Sequence, residues 1–161
     1  MSENIRDTWA TPADFRAAVT SAYGTPALDV CASYNNYFTH AGGAFYSFAG
    51  NGLKHSWRTN TYAWCNPPGS EVAKWVAKAK EQQTCANRSL LLVQCGLESD
   101  WFDSVKDIVE TRILRPRVQF VPPPGIPKSS NARNYMLLDF NPKYLSNPMQ
   151  RISVWQWKEK V

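Results

Sequence analysis

Apolar residues recur along this 161-residue chain in short bursts, and the spacing within each burst names the element it predicts. Phe15, Ala18, Val19 and Ala22 fall at helical intervals, with Thr11 as the expected cap, Pro12 at the first helical position and Gly24 as the stop. "PALDVCA" reads as a short buried strand ending near Asp29, and "TYAWC" as a second strand running directly into Asn66-Pro67-Pro68. Ser70 is placed to cap a helix whose Val72, Trp75, Val76 and Ala79 form one apolar stripe. "SLLLVQC" is a near-continuous apolar run, as in a strand covered on both faces. Ser99 precedes a further amphipathic helix with Trp101, Phe102, Val105, Ile108 and Val109 inward. "RVQFV" and "NYMLLDF" read as strands flanking the loop "PPPGIPKSSNAR", and "RISVWQW" alternates like an edge strand. Residues 34–57, rich in Gly, Asn and aromatics, read as a long ordered loop with short helical turns.

Strand, helix, strand, helix and then strands is an α/β pattern. It predicts one domain over residues 1–161, with a mostly parallel central sheet and an antiparallel C-terminal hairpin. Ligands of such sheets bind beyond the carboxyl ends of the strands. Asp29 and Asn66 are expected on that rim together.

Composition narrows the class. A hydrophobic content of 43% is ordinary for a globular chain, no apolar run approaches a membrane span, and the start lacks the apolar core of a secretion signal. The expectation is a cytoplasmic protein with no membrane partner. Cys31, Cys65, Cys85 and Cys95 are widely spread without a Cys-x-x-Cys pair, so they read as reduced, buried small hydrophobes. His40 and His55 add no ligand spacing, and no metal site is expected. The net charge is +5. Arg112, Arg115, Arg117, Lys128, Arg133, Lys143 and Arg151 face only Asp139 among acids in the same stretch. That basic third suits either a polyanion or plain solvent.

Candidate chemistry concentrates at Asn66-Pro67-Pro68. The amino group of adenine is a poor nucleophile because its lone pair is delocalised into the ring. A side-chain amide oxygen on Asn66 and the carbonyl of Pro67 would accept hydrogen bonds from its two N–H groups and draw the nitrogen toward tetrahedral geometry. Two prolines hold that carbonyl in a fixed orientation and offer no competing N–H. The methyl donor for such a site is S-adenosylmethionine, and Asp29 at a strand end suits its amino group or a hydroxyl. Taken alone, Asn-Pro and Pro-Gly are also common turn dipeptides.

In order along the chain, six segments resemble the small, Dam-like phage-type DNA N6-adenine methyltransferases over roughly residues 9–142, leaving 143–161 as a C-terminal extension. "WATPADF" is similar to the family's Trp-x-Thr-Pro motif, and "LDVCAS" followed by Asn35 to its Leu-Asp-x-Ala-Ala-Ser segment. "NGLKHSW" resembles an Asn/Asp-Gly/Ala-Leu-x-x-x-Trp segment. "WCNPPGSEVAKWVAKA" resembles the catalytic motif and its helix, "LLLVQCGLESDWF" with "RPRVQF" continues the match, and "NYMLLDFNP" resembles the closing strand. The resemblance implies a Rossmann-like fold, S-adenosylmethionine as donor, and adenine flipped from double-stranded DNA as acceptor, in the cytoplasm of a bacterial host. It implies Trp9, Thr11, Pro12, Asp29 and Asn51 at the cofactor and Asn66, Pro67 and Pro68 at the target amine. Arg117 matches an arginine of the family pattern and Arg115 is adjacent to it; with Lys128 and Arg133 of the basic third they are the residues expected toward nucleic acid. Residues 34–57 and 122–134 are expected to supply target contacts.

Gly69 departs from that pattern, because the family has Tyr there. Stacking of a base on an aromatic ring is worth about 1–3 kcal/mol, and Gly69 removes it from its usual place. Trp64, Tyr46 and Phe48 are the alternative rings. Two other readings follow: a catalytically lost member that binds DNA or a partner, and a methyltransferase with a different nucleobase acceptor.

Overall fold

A computed structural model describes residues 9–32, 38, 44–47, 51–129 and 133–159. Its helices are α1 (Ala13–Tyr23), α2 (Val72–Thr84) and α3 (Asp100–Asp103). Its strands are β1 (Leu28–Ala32), β2 (Ala44–Ser47), β3 (Ala63–Cys65), β4 (Ser89–Gln94), β5 (Glu110–Arg115), β6 (Tyr135–Phe140) and β7 (Arg151–Gln156). All seven join one sheet in the order β2-β1-β3-β4-β6-β5-β7. Only β6 is reversed, pairing antiparallel with β4 and with β5 while every other pair is parallel.

The sheet is covered on both faces. Alternation in β3 and β4 sends Cys65, Leu91 and Val93 to one face, under Trp75, Val76 and Ala79 of α2 and Phe102 of α3. Trp64, Leu90 and Leu92 go to the other, under Phe15 and Val19 of α1. No helix among the described residues is long and apolar enough to cross a membrane. The mixed α/β class and the mostly parallel sheet agree with the periodicity.

Several boundaries differ from the sequence expectation, each for a local reason. The strand beside β6 is Glu110–Arg115, not "RVQFV". Pro116 has no N–H to continue a ladder, and past it Val118 turns into the core while Val121 makes a single antiparallel bridge with Ala10. The expected antiparallel hairpin therefore exists, with β5 in place of the expected partner. The helix after Ser99 is only Asp100–Asp103; Ser99 caps it by accepting the Phe102 N–H at 3.3 Å, and Val105 and Val109 are buried from turns beyond it. A strand, β2, lies within the stretch expected as loop, whereas the 3-10 turn at Gly52–Lys54 is a short helical turn of the kind expected there. Ser70 caps nothing: it sits inside a 3-10 turn, Gly69–Glu71, closed by the Glu71 N–H on the Pro68 carbonyl at 3.0 Å. Pro12, not Thr11, occupies the cap position of α1, which has no side-chain cap. The tail forms edge strand β7, as its alternation suggests, paired among the described residues with β5 alone.

Candidate active site

Asn66 follows the last residue of β3, after three buried residues, so strand pairing fixes its backbone at the carboxyl rim of the sheet. It lies two residues beyond Trp64 and therefore emerges on the α1 face. There its Nδ2 donates to the Thr11 hydroxyl at 3.3 Å. Pro67 is buried and Pro68 half-buried, whereas Gly69 is exposed. A Cβ at Gly69 would meet nothing among the described residues within 4 Å, and its backbone lies outside the left-handed region.

Asp29 is not at the end of β1 but at its second position, aligned with Trp64 where pairing with β3 stops; β1 runs on to Ala32 because β2 still pairs with it. Its carboxylate is 4% exposed and tied into the chain that leaves the strand. Oδ1 accepts the Cys31 N–H at 3.1 Å and Oδ2 accepts the Phe38 N–H at 2.7 Å. Burial pushes its pKa up to about 7, against the lowering pull of those two amides and of the Arg16 charge.

The other expected cofactor residues converge unevenly. Thr11 is buried, and its segment is pinned by two backbone bonds between Ala10 and Val121, of 2.8 and 2.9 Å. Trp9 is half-buried, and its Nε1 is buried without a hydrogen-bond partner among the described residues. Pro12 is half-buried at the start of α1. Asn51 adopts a left-handed backbone at φ 46° and accepts the Leu53 N–H at 3.2 Å, capping the turn that leans on β1. Gly52 is required there, since a Cβ would strike the Val30 carbonyl oxygen. Asn51 thus has a structural task of its own.

The basic residues divide. Arg115 ends β5 on the same rim, exposed, with its carbonyl taking the Trp157 N–H at 3.0 Å. Arg117 Nε donates to Asn134 Oδ1 at 2.8 Å, and Arg133 Nη1 to Gln94 Oε1 at 3.0 Å. Gln94 ends β4 directly opposite Tyr135, which begins β6. Both arginines are therefore anchored by neutral amides at the rim that carries Asn66. Lys128 is exposed on the loop after Val121, and no described contact joins it to the other three.

A sequence model of the family described as "DNA N-6-adenine-methyltransferase (Dam)" matches residues 1–161. The chain belongs to the DNA N-6-adenine-methyltransferase (Dam) family. It is 34% identical over 102 residues to a DNA N-6-adenine-methyltransferase of Escherichia phage T1, a match that covers 63% of this chain and 42% of that relative.

In this member of the Dam family, several rim residues escaped the sequence reading. Gln94 and Asn134 hold the two arginines, and Phe120 packs against Tyr135 with ring centroids 4.8 Å apart. Alternation in β4 carried the signal for Gln94: Leu90 and Leu92 share its face, so it is the polar end of an otherwise apolar row. Of the suggested rings, Trp64 is core, packed edge-on against Phe38 at 4.9 Å, and Tyr46 stacks on His55 at 4.8 Å. Phe48 lies outside the described residues, as do His40 and Asn35. The thiols also divide: Cys65 is buried, Cys31 and Cys95 are half-buried, and Cys85 is exposed at the end of α2 rather than in the core. No cluster of three His, Cys, Asp or Glu suited to a metal occurs among the described residues.

Proposed function

We propose that this chain transfers a methyl group from S-adenosylmethionine to the N6 amino group of adenine in DNA. The observation that carries the proposal is Asn66-Pro67-Pro68 at the carboxyl rim of a mostly parallel sheet, in a chain of the Dam family. Asn66 Oδ1 and the Pro67 carbonyl each accept one N–H of the target amine. The amine nitrogen would bond the methyl carbon as the carbon–sulfur bond of the donor breaks and the neutral thioether leaves, and it would shed a proton to solvent, since a neutral amide is too weak a base to keep it. The arrangement of six strands one way and one reversed supports a Rossmann-like methyltransferase fold, in one domain over residues 1–161.

The described residues suit the cofactor. S-adenosylmethionine supplies an electrophilic methyl on a sulfonium, together with a charged amine and a carboxylate. Asp29 offers a buried acid for the amine, and Trp9 Nε1, unpartnered among the described residues, a donor for an oxygen. Thr11, Pro12 and Asn51 complete the expected lining.

The assignment of Asp29 has a pH signature. Its folded pKa stands above the usual carboxylate range, at about 7. The folded state therefore binds the extra proton, and the stability this contributes is lost as pH rises from about 4 to about 7. Cofactor binding runs the other way, because an ammonium prefers the ionised carboxylate. Affinity is expected to rise about fivefold between about pH 6 and about pH 7, as the ionised fraction grows. Titration calorimetry of the parent and of Asp29→Asn across that range checks it; a parent slope equal to the variant's would remove Asp29 from the cofactor site.

A target adenine in double-stranded DNA must leave the stack to reach Asn66. The rim arginines are positioned to take the phosphates beside it. Arg117→Ala is expected to weaken DNA binding for all sequences alike and to reduce the slope of log K against log salt by about one. Fluorescence anisotropy at several salt concentrations measures this, and an unchanged slope would place Arg117 in solvent. Gly69 favours a second reading, a catalytically lost member that binds DNA or a partner. A changed acceptor base is the other consequence it allows. Nucleoside analysis after incubation with cofactor and DNA separates these readings. Bacterial cytoplasm is the expected compartment.

A further inference from the structure

We propose that the open edge of β7 is a self-association surface, where a second copy of this chain continues the sheet across a two-fold axis at Ser153. The proposal goes beyond the methyl-transfer reading and does not depend on it.

Among the described residues β7 pairs with β5 alone, so its other side presents a row of backbone groups without a strand partner. The backbone groups of successive residues in a strand point alternately to its two sides. The Trp157 N–H bonds the Arg115 carbonyl at 3.0 Å, in step with the ladder, so Arg151, Ser153 and Trp155 spend theirs on β5. Ile152, Val154 and Gln156 therefore direct N–H and C=O to the open side. Proteins usually protect such an edge with a charge, a proline or a bulge. None of these falls within Ile152–Gln156, and the register with β5 is unbroken from Arg151 to Gln156.

The side chains of the same residues add an apolar face. Trp155 packs against Phe15 and Tyr23 of α1, which sends Ile152 and Val154 to the opposite side of the sheet. There Val154 lies beside the half-buried Ile113, and Ile152 and Val154 are 41% and 60% exposed. Both are β-branched, the type that packs best across paired strands.

Self-pairing is what this edge fits. In an antiparallel pair, residues that direct their backbone outward must oppose one another, since they exchange both bonds. Centring the pair on Ser153 sets Ile152 of each copy opposite Val154 of the other. Each of these pairs exchanges both backbone bonds, and their side chains close into one apolar cluster. Centring it on Val154 instead would oppose Ile152 to the polar Gln156. Two-fold symmetry makes every contact in duplicate, which a single foreign strand cannot do. The two copies run antiparallel, so their carboxyl rims point in opposite directions and each Asn66 site is built by one chain. One strand pair buries less than the roughly 1,200–2,000 Å² of a standard interface, so a dimer in the micromolar range is expected.

Sedimentation velocity of the full chain from about 1 to about 200 µM tests this, and the parent is expected to pass from the mass of one chain to that of two. Val154→Lys and Ile152→Glu are each expected to raise the dimer Kd about tenfold. Their melting temperatures should barely change at low concentration, because both side chains are exposed in the single chain. The double variant is expected to regain most of the loss, since the register sets the new carboxylate opposite the new ammonium of the other copy. A parent that stays a single chain at every concentration overturns the proposal and leaves the edge to another segment of this chain or to a different protein. A dimer indifferent to both single substitutions overturns it too, by placing the contact elsewhere. A double variant no tighter than the single ones overturns the pairing about Ser153.

Discussion

Asn66→Ala is expected to lower methyl transfer by a hundredfold to about a thousandfold, the usual cost of deleting one polar group preorganised for the transition state. Cofactor affinity should change by less than about twofold. The reasoning is local. The alanine Cβ keeps the strand geometry, and Asn66 is half-buried rather than core, so the fold loses little. What disappears is the acceptor proposed to draw the amine nitrogen toward tetrahedral geometry; the Pro67 carbonyl remains, which is why a residue of activity is expected. The measurement is single-turnover transfer at saturating cofactor, paired with calorimetric binding of S-adenosylmethionine. Retained turnover in Asn66→Ala would refute the assigned role whatever the fate of the rest of the site.

Gly69→Tyr is expected to raise kcat/KM for DNA by about one to two powers of ten, the equivalent of one base–aromatic stack of 1–3 kcal/mol used in the transition state. The structure favours a gain because a Cβ there meets no obstruction: nothing among the described residues lies within 4 Å of its position and the backbone needs no glycine. Ring and amide would then flank the same target, since Gly69 opens the turn that follows Pro68. Steady-state kinetics on unmethylated DNA read the effect. A loss would mean that the site has been reshaped around an empty position, and would favour a different acceptor.

The parts of the fold legible in the sequence were those whose pattern is local. The run in β4 is covered on both faces and reads as continuous apolarity, and the stripe of α2 repeats at helical spacing. Asn66 was legible as a strand-end residue because β3 runs straight into the two prolines. Glu110–Arg115 was not, since only Ile113 and Leu114 in it are aliphatic and its place between β6 and β7 is set by long-range pairing. "RVQFV" looked like a strand because Val118 and Phe120 alternate, but Pro116 had already ended the ladder and both pack as irregular chain. Asp29 was placed a little too near the rim, because the pairing of β1 with β2 outlasts its pairing with β3. Contacts between distant segments were invisible altogether. Neither the Thr11–Asn66 bond nor the seating of Arg133 on Gln94 leaves a trace in spacing.

The central claim is methyl transfer to adenine through an Asn-Pro-Pro site that lacks the usual ring. Its most direct test is transfer from S-adenosylmethionine carrying a labelled methyl group to unmethylated DNA, with the products digested and resolved by nucleoside mass spectrometry. The account predicts labelled N6-methyladenine from the parent. Intact cofactor binding and salt-dependent DNA binding without any methylated nucleoside would contradict it, and would identify a binding protein built on a methyltransferase scaffold.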